Sequence, residues 1–163
     1  MALQAWMSIT GTKQGPFKGE TTDATRKNKW MPVLGFSCNV TSPHDPITGM
    51  SSGKRSWTPI TVIKQWGAAS PQILTALTTN ESLATVEFEF ERTNADGTTV
   101  VYQSITLVNA SLAAVNQSTA NASSPQPANS EVNLSELEQL QFVFQMIEVS
   151  NQDGPTSFSD NWV

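Results

Sequence analysis

Apolar and polar residues alternate over much of this chain. Leu3, Ala5, Met7 and Ile9 fall on one face of residues 3–10, and Gln4, Trp6, Ser8 and Thr10 on the other. A period of two is that of a strand with one face turned to a core. The clearest instance is Ala84–Arg92, where Val86, Phe88 and Phe90 oppose Glu87, Glu89 and Glu91. Asn94-Ala95-Asp96-Gly97 follows, and Asp-Gly is a strong hairpin signal. Val100–Val108 returns as the partner strand, and Ser111–Asn116 predicts a further short one. Trp30–Val40 predicts another strand region. There Leu34, Phe36 and Cys38 are assigned to the core face, with Val33, Gly35, Ser37 and Asn39 opposite.

The period changes inside Lys54–Leu77. Trp57, Ile60, Val62, Ile63 and Trp66 predict a strand, and Gly67 breaks it. Ser70 fits a helix N-cap and Pro71 the first helical position. Ile73, Leu74 and Leu77 then supply an apolar face, and Asn80 a terminator. The helix, about residues 71–79, is too short to persist alone in water, so it must dock on a sheet. Gly11–Lys29 reads as a polar loop. Thr41–Ser56 reads as a long Gly/Pro loop, a kind that is uncommon in compact domains and often functional. Ser118–Ser130 reads as a flexible loop and Asn151–Val163 as a tail. Residues 131–140 stay open between helix and strand, with strand favoured from about Leu140.

Composition narrows the function classes. The 163 residues are 38% hydrophobic and only 14% charged, so the polar remainder is largely uncharged. This suits a mostly antiparallel β domain spanning 1–163. A net charge of −5 argues against nucleic acid or an anionic membrane surface as a partner. Cys38 is the single cysteine, which excludes an internal disulfide and a cysteine zinc site. MALQAWMSIT lacks a basic n-region, and no apolar run is long enough to span a membrane. A soluble, cytoplasmic protein without a Sec-type leader is expected.

Candidate chemistry is sparse. His44 follows Cys38 by six positions, but a core cysteine and a solvated histidine explain both. Glu87, Glu89 and Glu91 could do acid–base work, yet read more simply as a solvated strand face. GMSSGKRS fails as a phosphate-binding loop. Three residues separate Gly49 from Gly53, Arg55 replaces the needed Ser or Thr, and a strand follows. Lys54, Arg55 and Lys64 are too few for a nucleic-acid platform. No catalytic residue, metal or cofactor is expected.

Five stretches in order resemble one family: MALQAWMSITG at the start, GETTD, VLGFSC at Val33–Cys38, SGKR with a strand and then ASPQILTAL, and the terminal SDNW. Together they resemble the haemolysin-coregulated protein (Hcp) family, the inner-tube subunit of bacterial type VI secretion. The chain departs from the pattern at 118–130 and in its last strand. The resemblance implies a compact antiparallel β-barrel of two sheets with one short flanking helix, and a structural subunit rather than an enzyme. It implies hexameric rings stacked into a hollow tube and expelled by a contractile sheath. Sheath, spike and effector proteins would be the partners, with effectors carried in the lumen. The protein would reside in the bacterial cytoplasm and leave without a cleaved signal peptide.

Two candidate sites follow. Gly49, Met50, Ser51, Ser52, Gly53, Lys54 and Arg55 are expected at a ring or stack contact, with Lys54 and Arg55 pairing with carboxylates of an adjoining subunit. Ser37 and Asn39 are expected to line the lumen. The rival reading is a small-ligand or carbohydrate-binding β-sandwich, with Trp30, Trp57 and Trp162 as stacking platforms.

Overall fold

The structure is a computed structural model that describes residues 3–119 and 136–161. Its backbone is one long circuit of antiparallel strands. The first strand, β1 (Leu3–Gly11), turns through a short β2 (Gly15–Pro16) and pairs along its length with β8 (Leu83–Thr93). The Asn94–Gly97 turn, with Gly97 at φ +86°, leads into β9 (Thr99–Thr119). The two short strands expected at 100–108 and 111–116 are this single strand of 21 residues. It bends at Asn109, whose φ of +50° an asparagine tolerates better than most residues. Before the bend β9 pairs with β8 and with β11 (Met146–Asn151); after it, with β10 (Glu136–Val143). One strand thereby serves both sheets.

The circuit closes through Trp30–Val40, where the alternation reading failed. β3 (Met31–Val33) pairs with β1, whereas β4 (Gly35–Ser37) pairs with β7 (Ile60–Gln65), itself bonded to β10. The chain changes sheets at Leu34, whose N–H donates to Ile63 O at 2.8 Å. That crossing moves the inward side chains. Met31 and Val33 are buried and Phe36 packs on the core, but Leu34 is 49% exposed and Cys38 is exposed. The expected core face of Leu34 and Cys38 is therefore corrected.

Residues of both sheets meet inside, among them Met7, Ile9, Val62, Leu107, Leu140 and Phe142, all fully buried. Phe88 stands between Phe36 and Phe142 in edge-on contacts at 4.9 and 6.3 Å. Phe17 is also fully buried, so the stretch expected as a polar loop drives an anchor into the core. Glu136–Leu140 is strand; residues 131–135 lie outside the described residues, as does most of the loop expected at 118–130. The expected tail holds an edge strand, β12 (Thr156–Asn161), paired with β11.

The helix, α1 (Ser70–Thr78), matches the prediction within a residue, with Asn80 at φ +53° beyond its end. Its docked face is Ser70, Ile73 and Ala76 with Leu77 packed beside them, while Leu74, expected on that face, is 38% exposed. Ser70 does not cap it. No side chain caps the helix, but Glu20, from 49 positions away, accepts the N–H of Ala69 just before it at 2.9 Å. A carboxylate there also meets the positive end of the helix dipole.

Candidate assembly surfaces

Three polar arrangements sit on this barrel. The first is buried and structural. Lys64 on β7 and Glu138 on β10 are cross-strand partners with fully buried side chains, 2.5 Å apart as an ion pair. Glu20 reaches the same ammonium at 2.8 Å. Ser70 Oγ donates to Glu138 at 2.7 Å, and Gln117 donates to its other oxygen at 3.0 Å. The pieces GETTD and ASPQILTAL converge here. Gly67 is part of the fit, since a Cβ there would lie 2.3 Å from Glu20 Cδ. Lys64 is the hub of the cluster. Among the described residues, every buried side-chain polar atom has a partner.

The expected solvated face of Glu87, Glu89 and Glu91 is also corrected. The 18–30 segment folds over it. Arg26 bonds Glu89 at 2.7 Å and pairs with Glu91, while its guanidinium lies over the rings of Trp6 and Trp30. Glu91 also accepts from Trp6 Nε1 at 3.0 Å. Glu89 and Glu91, occupied in this way, are not poised for acid–base work, whereas Glu87 stays partly in solvent with Lys29 at 3.9 Å. Trp30 is buried beneath the cations, so it is no stacking platform; Trp162 lies outside the described residues.

The second arrangement is an arm. β5 (Val40–Thr41) and β6 (Ser56–Trp57) pair only with each other, and His44 bridges Ser51 beyond them. The expected loop Thr41–Ser56 is thus an ordered hairpin. Its tip is built by Asp45, whose carboxylate accepts from the Ile47 N–H at 2.8 Å and the Thr48 hydroxyl at 3.1 Å. Those two bonds hold the Asp45 pKa below its usual range. Gly49 supplies the φ of +70° that the turn requires. Gly49, Met50, Ser51, Ser52, Gly53, Lys54 and Arg55 are all exposed. The tip is apolar: Ile47 is 92% exposed and Met50 70%.

Arg55 departs from expectation. It pairs within its own chain: Nε donates to Asp160 Oδ2 at 2.6 Å, and a second guanidinium nitrogen donates to Oδ1. Trp57 Nε1 donates to the same carboxylate at 2.9 Å. The bonds from Arg55 first, then Trp57, hold the Asp160 pKa down. The SDNW piece therefore latches the arm to β12, leaving Lys54 as the arm's remaining cation. A separation of 105 positions explains why sequence reading missed the pair.

The third arrangement is a neutral face. The register aligns Ser37, Thr61, Gln141 and Ala114 in one row across β4, β7, β10 and β9. Gly35, Ile63, Gln139 and Asn116 form the next row. Phe36, Val62 and Leu140 between the rows turn inward, so these rows turn outward, and neither holds a charge. Ser37 belongs to this face. Asn39 does not: it lies in the link between β4 and β5, where its carbonyl accepts from Thr58 N–H at 3.0 Å.

The family model described as "Type VI secretion system effector, Hcp" matches residues 6–150. The chain belongs to the Hcp family. It is 34% identical over 171 residues to the "Major exported protein" of Pseudomonas aeruginosa, covering 99% of this chain and 96% of that one. A solved structure described as Hcp protein superimposes with a TM-score of 0.88 at 24% identity, over 99% of each chain, a likeness of fold. Secreted protein Hcp3 from Pseudomonas aeruginosa matches at TM-score 0.77 and 28% identity, again over 99% of each. Hcp membership makes this a type VI secretion component of a structural, exported family and not an enzyme. The barrel with one short helix is the Hcp fold.

Proposed function

We propose that the chain is the ring-forming subunit of a type VI inner tube. Six copies close head to tail into a ring, rings stack, and a contractile sheath expels the tube with its spike. The protein is made in the cytoplasm and leaves by this route without a cleaved leader. The observation that carries the reading is the arm. A hairpin stiffened by its own turn, latched at its base and apolar at its tip suits contact with a neighbouring copy. Closed rings arise when a patch on one copy meets a different patch on the next.

The neutral face is the proposed lumen wall. Ser37, Thr61, Gln139, Gln141 and Asn116 offer hydrogen bonds but no fixed charge, which suits a conduit for effector proteins that must also let them go. Asn39, in the link after β4, lies outside these rows. Light scattering of the intact protein with negative-stain imaging tests the assembly: six-fold rings are expected, and a strictly monomeric mass at high concentration overturns it. A cysteine at Ser37 in a Cys38→Ser background tests the lumen. A maleimide too large to enter the channel should label it far more slowly in tubes than in unfolded protein. Equal rates place Ser37 outside.

A further inference from the structure

Cations are unevenly spread along this acidic chain. Residues 13–29 hold Lys13, Lys18, Arg26, Lys27 and Lys29, five of the nine cations, but only Glu20 and Asp23 of the 14 acids. The stretch is therefore basic within a chain of net charge −5. Folding sharpens the imbalance. Glu20 is engaged inside by Lys64, and Arg26 by Glu89 and Glu91. Lys13, Lys18, Lys27 and Lys29 are left exposed. Among the described residues Lys29 approaches a carboxylate only at 3.9 Å, that of Glu87, and Lys13, Lys18 and Lys27 form no ion pair.

The four lysines are held in one strip. Gln72 of α1 accepts the Lys18 N–H at its side-chain oxygen, 2.9 Å, and the Gln14 side-chain amide at its carbonyl, 3.0 Å. Glu81 fixes the adjoining turn, accepting the N–H of Lys13 at 2.7 Å and of Gln14 at 2.8 Å. Gly19 packs so closely on the Lys27–Lys29 backbone that a Cβ there would lie 2.2 Å from Lys27 O. We infer that this strip is a docking surface for an acidic patch of another protein. The inference goes beyond the tube-subunit reading and does not depend on it.

Placement and charge both favour a protein as the occupant. The segment carrying Lys27 and Lys29 covers the outer side of β1 and β8, whereas the neutral face is the outer side of β4, β7 and β10. These sides point away from each other across the barrel, so the partner is not a cargo lying along the neutral face. Most of the chain outside the strip is acidic. A nucleic acid or an anionic membrane would extend past the strip and meet those carboxylates. A protein patch can match the strip alone. Ammonium groups in solvent also suit a reversible contact, since each pair is weak and is screened beyond about 10 Å at 0.1 M salt.

The test is fluorescence anisotropy of a fluorescein-labelled oligoglutamate titrated with the full-length protein. Binding is expected at low salt and should fade as salt rises. Lys18→Gln with Lys27→Gln alters only exposed side chains, and should weaken binding at least about tenfold. Ala95→Glu with Gln152→Glu makes the same change of net charge elsewhere on the surface, and should weaken it less than about threefold. A parent that does not bind, or equal losses for the two variants, overturns the inference. Tighter binding of inorganic polyphosphate or of phosphatidylglycerol vesicles than of oligoglutamate makes the strip a phosphate surface and overturns the protein partner. The lysine variant should form rings as the parent does; loss of rings in that variant alone would assign the strip to contacts between copies and likewise overturn it. The binding measurement needs no ring, so a parent that stays monomeric sinks the tube reading while this one is still decided by the titration.

Discussion

The barrel interior and the arm are both ordered, but by different means. Around Lys64 the order comes from burial: two carboxylates, a hydroxyl and an amide converge on charges with no access to water. In the arm it comes from an Asx-type turn and one ion pair in solvent. Removing one partner from a buried charge cluster strands the others, whereas an exposed pair contributes little to stability. Changes in the barrel should therefore act on folding, and changes in the arm on association.

The sharpest way to break that contrast is Lys64→Ala. It leaves Glu20 and Glu138 without their cation, and should cost about 3–5 kcal/mol in urea unfolding. A loss similar to that of a surface lysine would mean the cluster is not structural. The helix gives the next effect. Ile73→Ala opens a cavity under its docked face and should cost about 2–5 kcal/mol, whereas Leu74→Ala should stay within about 0.5 kcal/mol. Equal losses would mean that the helix docks by another face.

Acid should separate the two regions further. Glu81 is almost wholly buried, which opposes its ionisation. The N–H and side-chain amide of Gln14 and the N–H of Lys13 outweigh that, and its pKa is lowered. A carboxylate lowered by folding adds stability that is fully present above its unfolded pKa, near about 4.3, and is lost as pH falls through the folded value. Glu81→Gln should be less stable at neutral pH and lose less stability below about pH 4. Parallel pH profiles for parent and variant would discard this role. The smallest effect on folding is expected at the latch. Arg55→Ala and Asp160→Asn should leave the thermal midpoint where it was, yet weaken assembly by freeing the arm. A lowered midpoint with unchanged assembly would reverse the contrast.

Much of the barrel was legible from the chain. Val86, Phe88 and Glu87, Glu89 alternate as a strand must, Asp96-Gly97 makes the hairpin turn, and Ser70-Pro71 to Asn80 frames the helix. The extent of the arm was readable in its glycines and prolines, although its ladder was not. The order of the five motif pieces was enough to point to the family.

The errors share a cause. Alternation says that two faces differ, not what covers them. Arg26 covers Glu89 and Glu91 because the 18–30 segment returns over them. Leu34 turns outward because its strand changes partners at that residue. Thr156–Asn161 becomes a strand because the edge of β11 is open to it, not because its residues favour one. Local pattern by itself determined the strand at Leu83–Thr93, the Asp96-Gly97 turn and the helix to within a residue, since those depend on neighbours one to four positions away. Only the tertiary structure decided that Lys64 is buried, that Glu20 meets the N–H of Ala69 at the start of the helix and that Arg55 holds Asp160. Those pairs lie 44 to 105 positions apart, and a lone charge carries no mark of the partner that packing will bring to it.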